Sequence, residues 1–581
     1  MKYWVIILTL ITISCSKTSP KTSENFTTKF EKSNGTETAT YSETINFYKK
    51  LAKTYPQINI QEIGKTDSGY PLYLVFFNTD KNFDLKQLKN SSKNIIFINN
   101  GIHPGESDGI DATMLLLRDI VQNKEQTKKL NSIILAIIPI YNVGGALNRN
   151  SHSRANQNGP KEYGFRGNAR NFDLNRDFIK ADTKNARSFA NIFTSLNPDV
   201  FVDNHVSNGA DYQYSITHLF TQHNKLGNKL GDFIEQKMRP AIENSLLKKN
   251  ILITPYVNVW GKTPESGFSQ FFDSPRYSTG YTTLFNTLGL MVETHMLKPY
   301  KVRVEQTYSL MNSVIEFTIQ NGKRIKELRK NALKNILKNK TYPIQYQLDK
   351  NNFTTLQFKG YEGSYVPSKV TTGKRLFYDE TKPYTKPIDY YNQFKPTKYI
   401  NIPKAYILKN GWWRVLNRLK ENHIKYISIK KDTSINAVNQ HIKDFKTSSK
   451  VFEGHYMHYN TEVTQTKQQV KFSKGDIYIP VNQSGARYLF ETLEASATDS
   501  FFNWNYFDTI LQRKEGYSPY VFEDIAAQFL KENPSIKEAL KNKIESDVDF
   551  AKNPKAQLDF VYKNSPYYEA AYLKLPIYKV Y

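Results

Sequence analysis

The chain has 581 residues, with 80 Lys and Arg against 54 Asp and Glu, a formal net charge of +26. Its 39% hydrophobic and 14% aromatic content supplies ample material for packed cores, which excludes global disorder. The one cysteine, Cys15, excludes an intrachain disulfide and a cysteine-rich metal site, leaving His, Asp and Glu as the donors for any metal.

The lysines are spread along the whole chain, and no zinc-finger, glycine-rich-loop or RNA-recognition signature accompanies them. Nucleic acid is therefore not an expected partner. Met1 to Ser14 (MKYWVIILTLITIS) has one lysine, an apolar stretch and a small residue before Cys15. That is the layout of a signal peptide, whose apolar core runs to about 7–15 residues. It resembles a bacterial lipoprotein signal, with Thr12 standing where that pattern prefers Leu. The resemblance implies an exported cell-envelope protein, held at a membrane through a lipidated Cys15. Residues 15–40 are polar and Ser/Thr-rich and are expected to form a flexible tether. Beyond the signal no apolar run approaches the roughly 18 residues that cross a bilayer.

From Tyr41 the pattern becomes globular. Ser42–Tyr55 reads as a helix, with Phe47, Leu51 and Tyr55 at i, i+4 and i+8. Tyr73–Asn78 and Asn94–Asn99 read as strands, and Ser107–Asn123 as a helix through Ile110, Met114, Leu117 and Val121. Ser132–Tyr141, Asp199–Asp203 and Gly289–Glu293 are apolar strands; Leu226–Arg239 and Val302–Leu337 are helical. This alternation predicts an α/β domain over residues 41–338, with a mixed, mostly parallel central sheet and helices on both faces. Residues 341–400 look β-like. Ala405–Lys409, Trp412–Asn422 and Ile424–Ile429 suggest strand–helix–strand, and helices resume after Tyr520, one starting at Asn533–Pro534–Ser535. Residues 339–581 are expected to form a second, α+β domain of unknown role.

Strand Asn94–Asn99 runs into Asn100–Gly101–Ile102–His103–Pro104–Gly105–Glu106. An imidazole and a carboxylate three residues apart on a constrained turn can converge on one cation. His205 sits where the strand Asp199–Asp203 emerges, and ligands gather beyond the carboxyl ends of strands in open α/β sheets. Glu293 ends another apolar strand, a costly place for an acid unless it is paired or working. Asn171–Phe172–Asp173–Leu174–Asn175–Arg176 lies between them, preceded by Asn148–Arg149–Asn150–Ser151–His152–Ser153–Arg154.

HPGE, NFDLNRDF, a His after an apolar strand and VETH, in that order, resemble the zinc carboxypeptidase family over residues 45–320. The resemblance implies one zinc ion held by His103, Glu106 and His205, with Glu293 as the general base. It implies Asp173 as the carboxylate orienting His103, and Asn175 and Arg176 as the grip on a substrate's terminal carboxylate. Arg154 is the choice for the arginine that stabilises the oxyanion, with Arg149 in competition. Tyr277 is the expected active-site tyrosine and Tyr281 the alternative. The implied substrate is a peptide with a free C-terminal carboxylate; a cell-wall peptide stem, or a catalytically silent binding protein, are the competing readings. His295 is expected to pack beside the site, His152 to lie in a substrate-side loop, and His455 and His458 to belong to a solvated strand or loop. Apolar and basic pockets are left unranked, as is a role for Asp273 in choosing basic side chains.

Overall fold

The computed structural model describes residues 26–581; the expected signal segment and Cys15 lie outside the described residues. Eight strands form the central sheet: β1 (Ile58–Lys65), β2 (Pro71–Phe77), β3 (Asn94–Asn99), β4 (Ile133–Ile138), β5 (Val200–Ser207), β6 (Ile216–Phe220), β7 (Ile253–Pro255) and β9 (Leu288–His295), while the two-residue β8 (Phe268–Ser269) belongs elsewhere. Their spatial order is β1-β2-β4-β3-β5-β9-β6-β7. The four middle strands β4, β3, β5 and β9 run parallel, and β2 and β6 flank them antiparallel. Parallel strands are covered on both faces, which is why β3 and β4 are buried at every position and read as continuous apolar runs.

Successive side chains still go to opposite faces. Ile96, Ile98, Val200 and Val202 share a core with Leu116, Val304 and Met311, from the helices Asp108–Gln122 and Tyr300–Lys338. Phe97 and Phe201 face the other way, against Phe189 and Phe193 of the helix Lys184–Leu196. That second core does not stop at the helix Tyr300–Lys338. It continues into the C-terminal region through Tyr488, Phe490 and Trp504.

In that region Thr341–Leu348 pairs with Phe394–Asn401, and Thr354–Pro367 with Lys374–Tyr391 in a long hairpin whose end also meets β8. A six-stranded sheet follows, including a second long hairpin, Thr433–Thr447 with His458–Phe472. The helices Pro519–Glu532, Pro534–Ser546 and Pro554–Asn564 each open on a proline, whose missing N–H costs nothing in the first turn. Among the described residues no helix is long and apolar enough to cross a membrane.

Three expectations need correction. Residues 26–40 are packed, not a tether: Phe26 and Phe30 are 4% and 5% exposed, and Thr28 and Glu31 form a capping box. The helix expected over Leu226–Arg239 begins at Asn228, widens into a π turn at Ile234–Met238 and resumes as Arg239–Leu247. Pro240 accounts for the widening, because it cannot donate to the turn below. β5 runs on past Asp203 to Ser207, so His205 lies inside the strand.

Gly322, in the long helix Tyr300–Lys338, marks its closest approach to the sheet. A Cβ there would fall on Asn94 Oδ1. Asn94 is buried and cannot swing aside, because its Nδ2 donates to Asp199 Oδ2 (3.2 Å) and to the Gly322 carbonyl (3.0 Å). Alanine normally gains about 1 kcal/mol over glycine in a helix. Here overpacking, at about 1–3 kcal/mol, decides the sign. Gly322→Ala is expected to lower the urea midpoint, and a raised midpoint would refute this packing.

Candidate functional site

The parallel middle of the sheet delivers three chain segments to one edge. The turn after β3 carries His103 and Glu106, β5 carries His205, and β9 carries Glu293, which is the register partner of His205. His103 Nδ1 lies 3.2 Å from Glu106 Oε1, and His205 Nδ1 lies 3.1 Å from Glu106 Oε2. The donor atoms of His103, Glu106 and His205 all fall within 4.8 Å of one another, and all three residues are buried.

The outer nitrogens of both rings are held by acids. His103 Nε2 is 2.9 Å from Asp173 Oδ1, and His205 Nε2 is 2.8 Å from Asp203 Oδ2. A carboxylate can only accept, so each Nε2 carries a hydrogen, and both Nδ1 atoms are left facing Glu106. Asp173 is held in turn by Arg166, whose Nε and Nη2 donate to its Oδ2 at 3.0 and 2.8 Å. Asp203 accepts from Asn99 Nδ2 (3.2 Å) and from Ser278 Oγ.

The electrostatics favour a cation at the centre. Burial opposes ionisation of Glu106, but the charges of His103 and Arg154 and the hydrogen bonds from both imidazoles outweigh it and hold its pKa well below the usual carboxylate range. Burial likewise works against a charged His205, yet Asp203 and Glu106 lift its pKa well above the ordinary value. Glu293 differs. Burial pushes its pKa up to about 8; the charges of Glu106 and Asp203 add to this, while His205 and Arg166 oppose it. A cation among the donors acts in the opposite direction, towards the ionised form that a base requires.

The cluster opens into a cleft of about 400 Å³. Asn175, Arg176 and Tyr277 line it, the Arg176 guanidinium sitting 4.6 Å from the Tyr277 ring centroid. Asn175 is fixed by its Oδ1, which accepts from the Ser278 backbone N–H at 3.1 Å. Tyr281 is not in the cleft: it is fully buried and donates to Asn422 Oδ1.

Arg154 is the chief correction. It lies behind the cluster, its Nη2 3.0 Å from Glu106 Oε1 and its Nε donating to Gln157, and it is not among the cleft-lining residues. Arg166 lines the cleft in its place, with Nη1 3.7 Å from Glu106 Oε1. Arg149 bonds the carbonyl of Glu162. His152 is an exposed loop residue outside the cleft lining, and His295 is buried against Asp211 and the Tyr212 ring. His455 and His458 are not solvated: His455 bonds Asp182 and His458 is buried against Phe502. Asp273 is buried outside the cleft lining. Asp203, for which the motifs give no role, stands two residues before His205 and so shares its strand face.

The zinc carboxypeptidase family profile matches residues 44–206. Over this segment the chain is similar to the zinc carboxypeptidase family. Carboxypeptidase 2 of Trichophyton rubrum is 25% identical over 176 residues, and that of Trichophyton equinum 27% over 180 residues. The match spans about 30% of this chain and 30% of the length of these relatives. Carboxypeptidase A from Helicoverpa armigera superposes with a TM-score of 0.37 at 14% identity, covering 49% of this chain and 74% of that one, a likeness too loose to carry weight.

Zinc is the metal of this family, and the donors present fit it. Two imidazole nitrogens and one carboxylate would hold it as a His₂Glu set. The carboxylates behind His103 and His205 hold ring orientation, a role whose loss costs about 10–100-fold in metal affinity. Purified protein is expected to carry one zinc ion, and His205→Ala to carry none. Asp203→Asn is expected to weaken zinc retention about tenfold in chelator competition; affinity equal to the unmodified protein would refute Asp203 as an orienting group.

Proposed function

We propose that this protein is a metallocarboxypeptidase that hydrolyses the C-terminal amide bond of peptides. The observation that carries the reading is the placement of Glu293, directly across the β5–β9 ladder from His205 and in the same cleft as Arg166, Asn175 and Arg176. Zinc, when bound by His103, Glu106 and His205, supplies a Lewis acid that polarises a carbonyl and makes water more acidic. The Glu293 carboxylate takes the proton of the attacking water and hands it to the nitrogen of the leaving amine. Arg166 donates to the oxygen on which negative charge develops; a comparable donor in other enzymes contributes about 3–4 kcal/mol. Asn175 and Arg176 hold the substrate's terminal carboxylate, for which a guanidinium fork is the matching shape.

The cleft floor indicates which terminal residue fits. Met291 stands two residues before Glu293 on the same strand face, and Leu219 of β6 is its register partner. Phe271 packs edge-on against Tyr277 at 5.0 Å beside them. The acids lining this cleft are Glu106 and Glu293, both in the catalytic cluster. An apolar side chain, aromatic or large aliphatic, is therefore the preferred terminal residue.

Peptides ending in free Phe or Leu are expected to lose that residue at least about tenfold faster, in kcat/KM, than peptides ending in Arg or Lys, consistent with 1–3 kcal/mol of burial. Amidated peptides are expected to resist, and Glu293→Gln to abolish turnover while keeping zinc. Cleavage of amidated peptides at the same rate would sink the exopeptidase reading.

We further propose that the protein works outside the cytoplasm, anchored through Cys15. Cys15→Ala is expected to move it from the membrane to the soluble fraction; an unchanged distribution would refute the anchor.

A further inference from the structure

The second long hairpin of the C-terminal region, Thr433–Thr447 with His458–Phe472, ends in a tip that reaches the active-site loop. At the tip Phe452 and His455 form an isolated antiparallel bridge around Glu453 and Gly454. Both central residues have positive φ, +50° at Glu453 and +79° at Gly454, as a type I′ turn demands. Glycine suits the second place. Glutamate is ill suited to the first, where Asn or Asp is the ordinary choice and a longer side chain adds strain.

The strained glutamate has a partner. Its Oε2 accepts the backbone N–H of Asp173 at 2.9 Å, across 280 residues of chain. The side chain of the same Asp173 holds His103 through Oδ1 and Arg166 through Oδ2, and its Oδ1 also accepts the Asn175 N–H at 2.9 Å. The tip is itself seated. A Cβ on Gly454 would come within 3.3 Å of the Phe172 ring, and His455 Nε2 lies 2.7 Å from Asp182 Oδ2. Phe452 stacks near Trp504, and Arg276 lies over both rings while pairing with Asp499 at 2.8 Å. Arg276 is the residue before Tyr277, so the tip region also meets the segment that carries this cleft residue. Glu453 does not line the cleft.

We propose that Glu453 is a positioning residue for the metal cluster: it pins the backbone of Asp173 so that Asp173 aims His103 at the ion and Asn175 at the substrate. This rests on the carboxypeptidase reading of the cleft. It gives the C-terminal region a direct share in the active site, where strain at residue 453 is tolerated because the side chain has work to do.

Three full-length variants test it. Glu453→Asn removes the reach to Asp173 yet suits the turn. It is expected to keep or raise the thermal midpoint while losing about tenfold in zinc affinity and in kcat. Glu453→Gln keeps an oxygen acceptor of the same length and is expected to stay within about twofold of the unmodified protein. Gly454→Ala leaves the Glu453 side chain intact but strains the positive-φ turn and crowds Phe172, and is expected to lose zinc affinity and kcat as Glu453→Asn does while lowering the thermal midpoint. Amide exchange over residues 172–176 of the zinc-free protein reads the bond without metal or substrate: protected in the unmodified and Gln forms, faster in the Asn form. Unchanged exchange and zinc affinity in Glu453→Asn would overturn the role, as would equal losses in Asn and Gln. If exchange follows the prediction but no form hydrolyses any peptide, the carboxypeptidase reading fails and the Glu453 bond stands.

Discussion

Everything at this site depends on which way two imidazole rings face. A free histidine can turn either nitrogen towards a neighbour. Here Asp173 and Asp203 claim the outer nitrogens of His103 and His205, leaving both inner nitrogens facing Glu106. In a buried setting a proton or a cation must lie between each inner nitrogen and that carboxylate. The charge balance follows from the same arrangement. Three acids around two imidazoles create a local excess of negative charge, which a proton on His205 relieves in part and a divalent cation relieves better.

The fold supplies the rigidity this needs. Three parallel strands end at one edge, so the ligands and Glu293 inherit their spacing from the hydrogen-bonded ladder. The orienting acids come from different sources. Asp203 is built into β5, whereas Asp173 sits on an irregular loop with no ladder to hold it. That loop draws its order from outside, from Arg166, from the Lys180–Asp177–Asp182 pairs and from the C-terminal residues Glu453 and His455. The continuous core linking Phe189 and Phe193 to Tyr488 and Trp504 keeps those outside contacts in place.

What could be read from the sequence divides along the same line. The strands carrying His205 and Glu293 announce themselves as apolar runs with a polar residue at the end, and HxxE follows a strand directly. Asp203 was equally readable by its two-residue spacing from His205. Arg166 carries no such signal. It lies, like the expected Arg154 and the competing Arg149, in a Gly- and Asn-rich stretch without periodicity, where sequence distance says little about which guanidinium meets the cleft. Pro240 gave a local reason for the π turn that amphipathic spacing alone does not show. The N-terminal residues Phe26 and Phe30 were masked by their polar neighbours, although two aromatics four apart can anchor a short helical turn. The bond from Glu453 to Asp173 had no local signal beyond a glutamate before a glycine, since its meaning arises only when two distant segments meet.

That long-range bond also bears on when the molecule becomes complete. A ribosome that has released residues 1–338 has delivered His103, Glu106, His205 and Glu293, but not the hairpin tip that meets the Asp173 loop. Closing a loop of 280 residues is slow to nucleate and comes after the local strands and helices have formed. The order of synthesis thus places the last brace of the cleft near the end of the process. A half-made chain carries the clustered side chains without the bond that holds the Asp173 backbone.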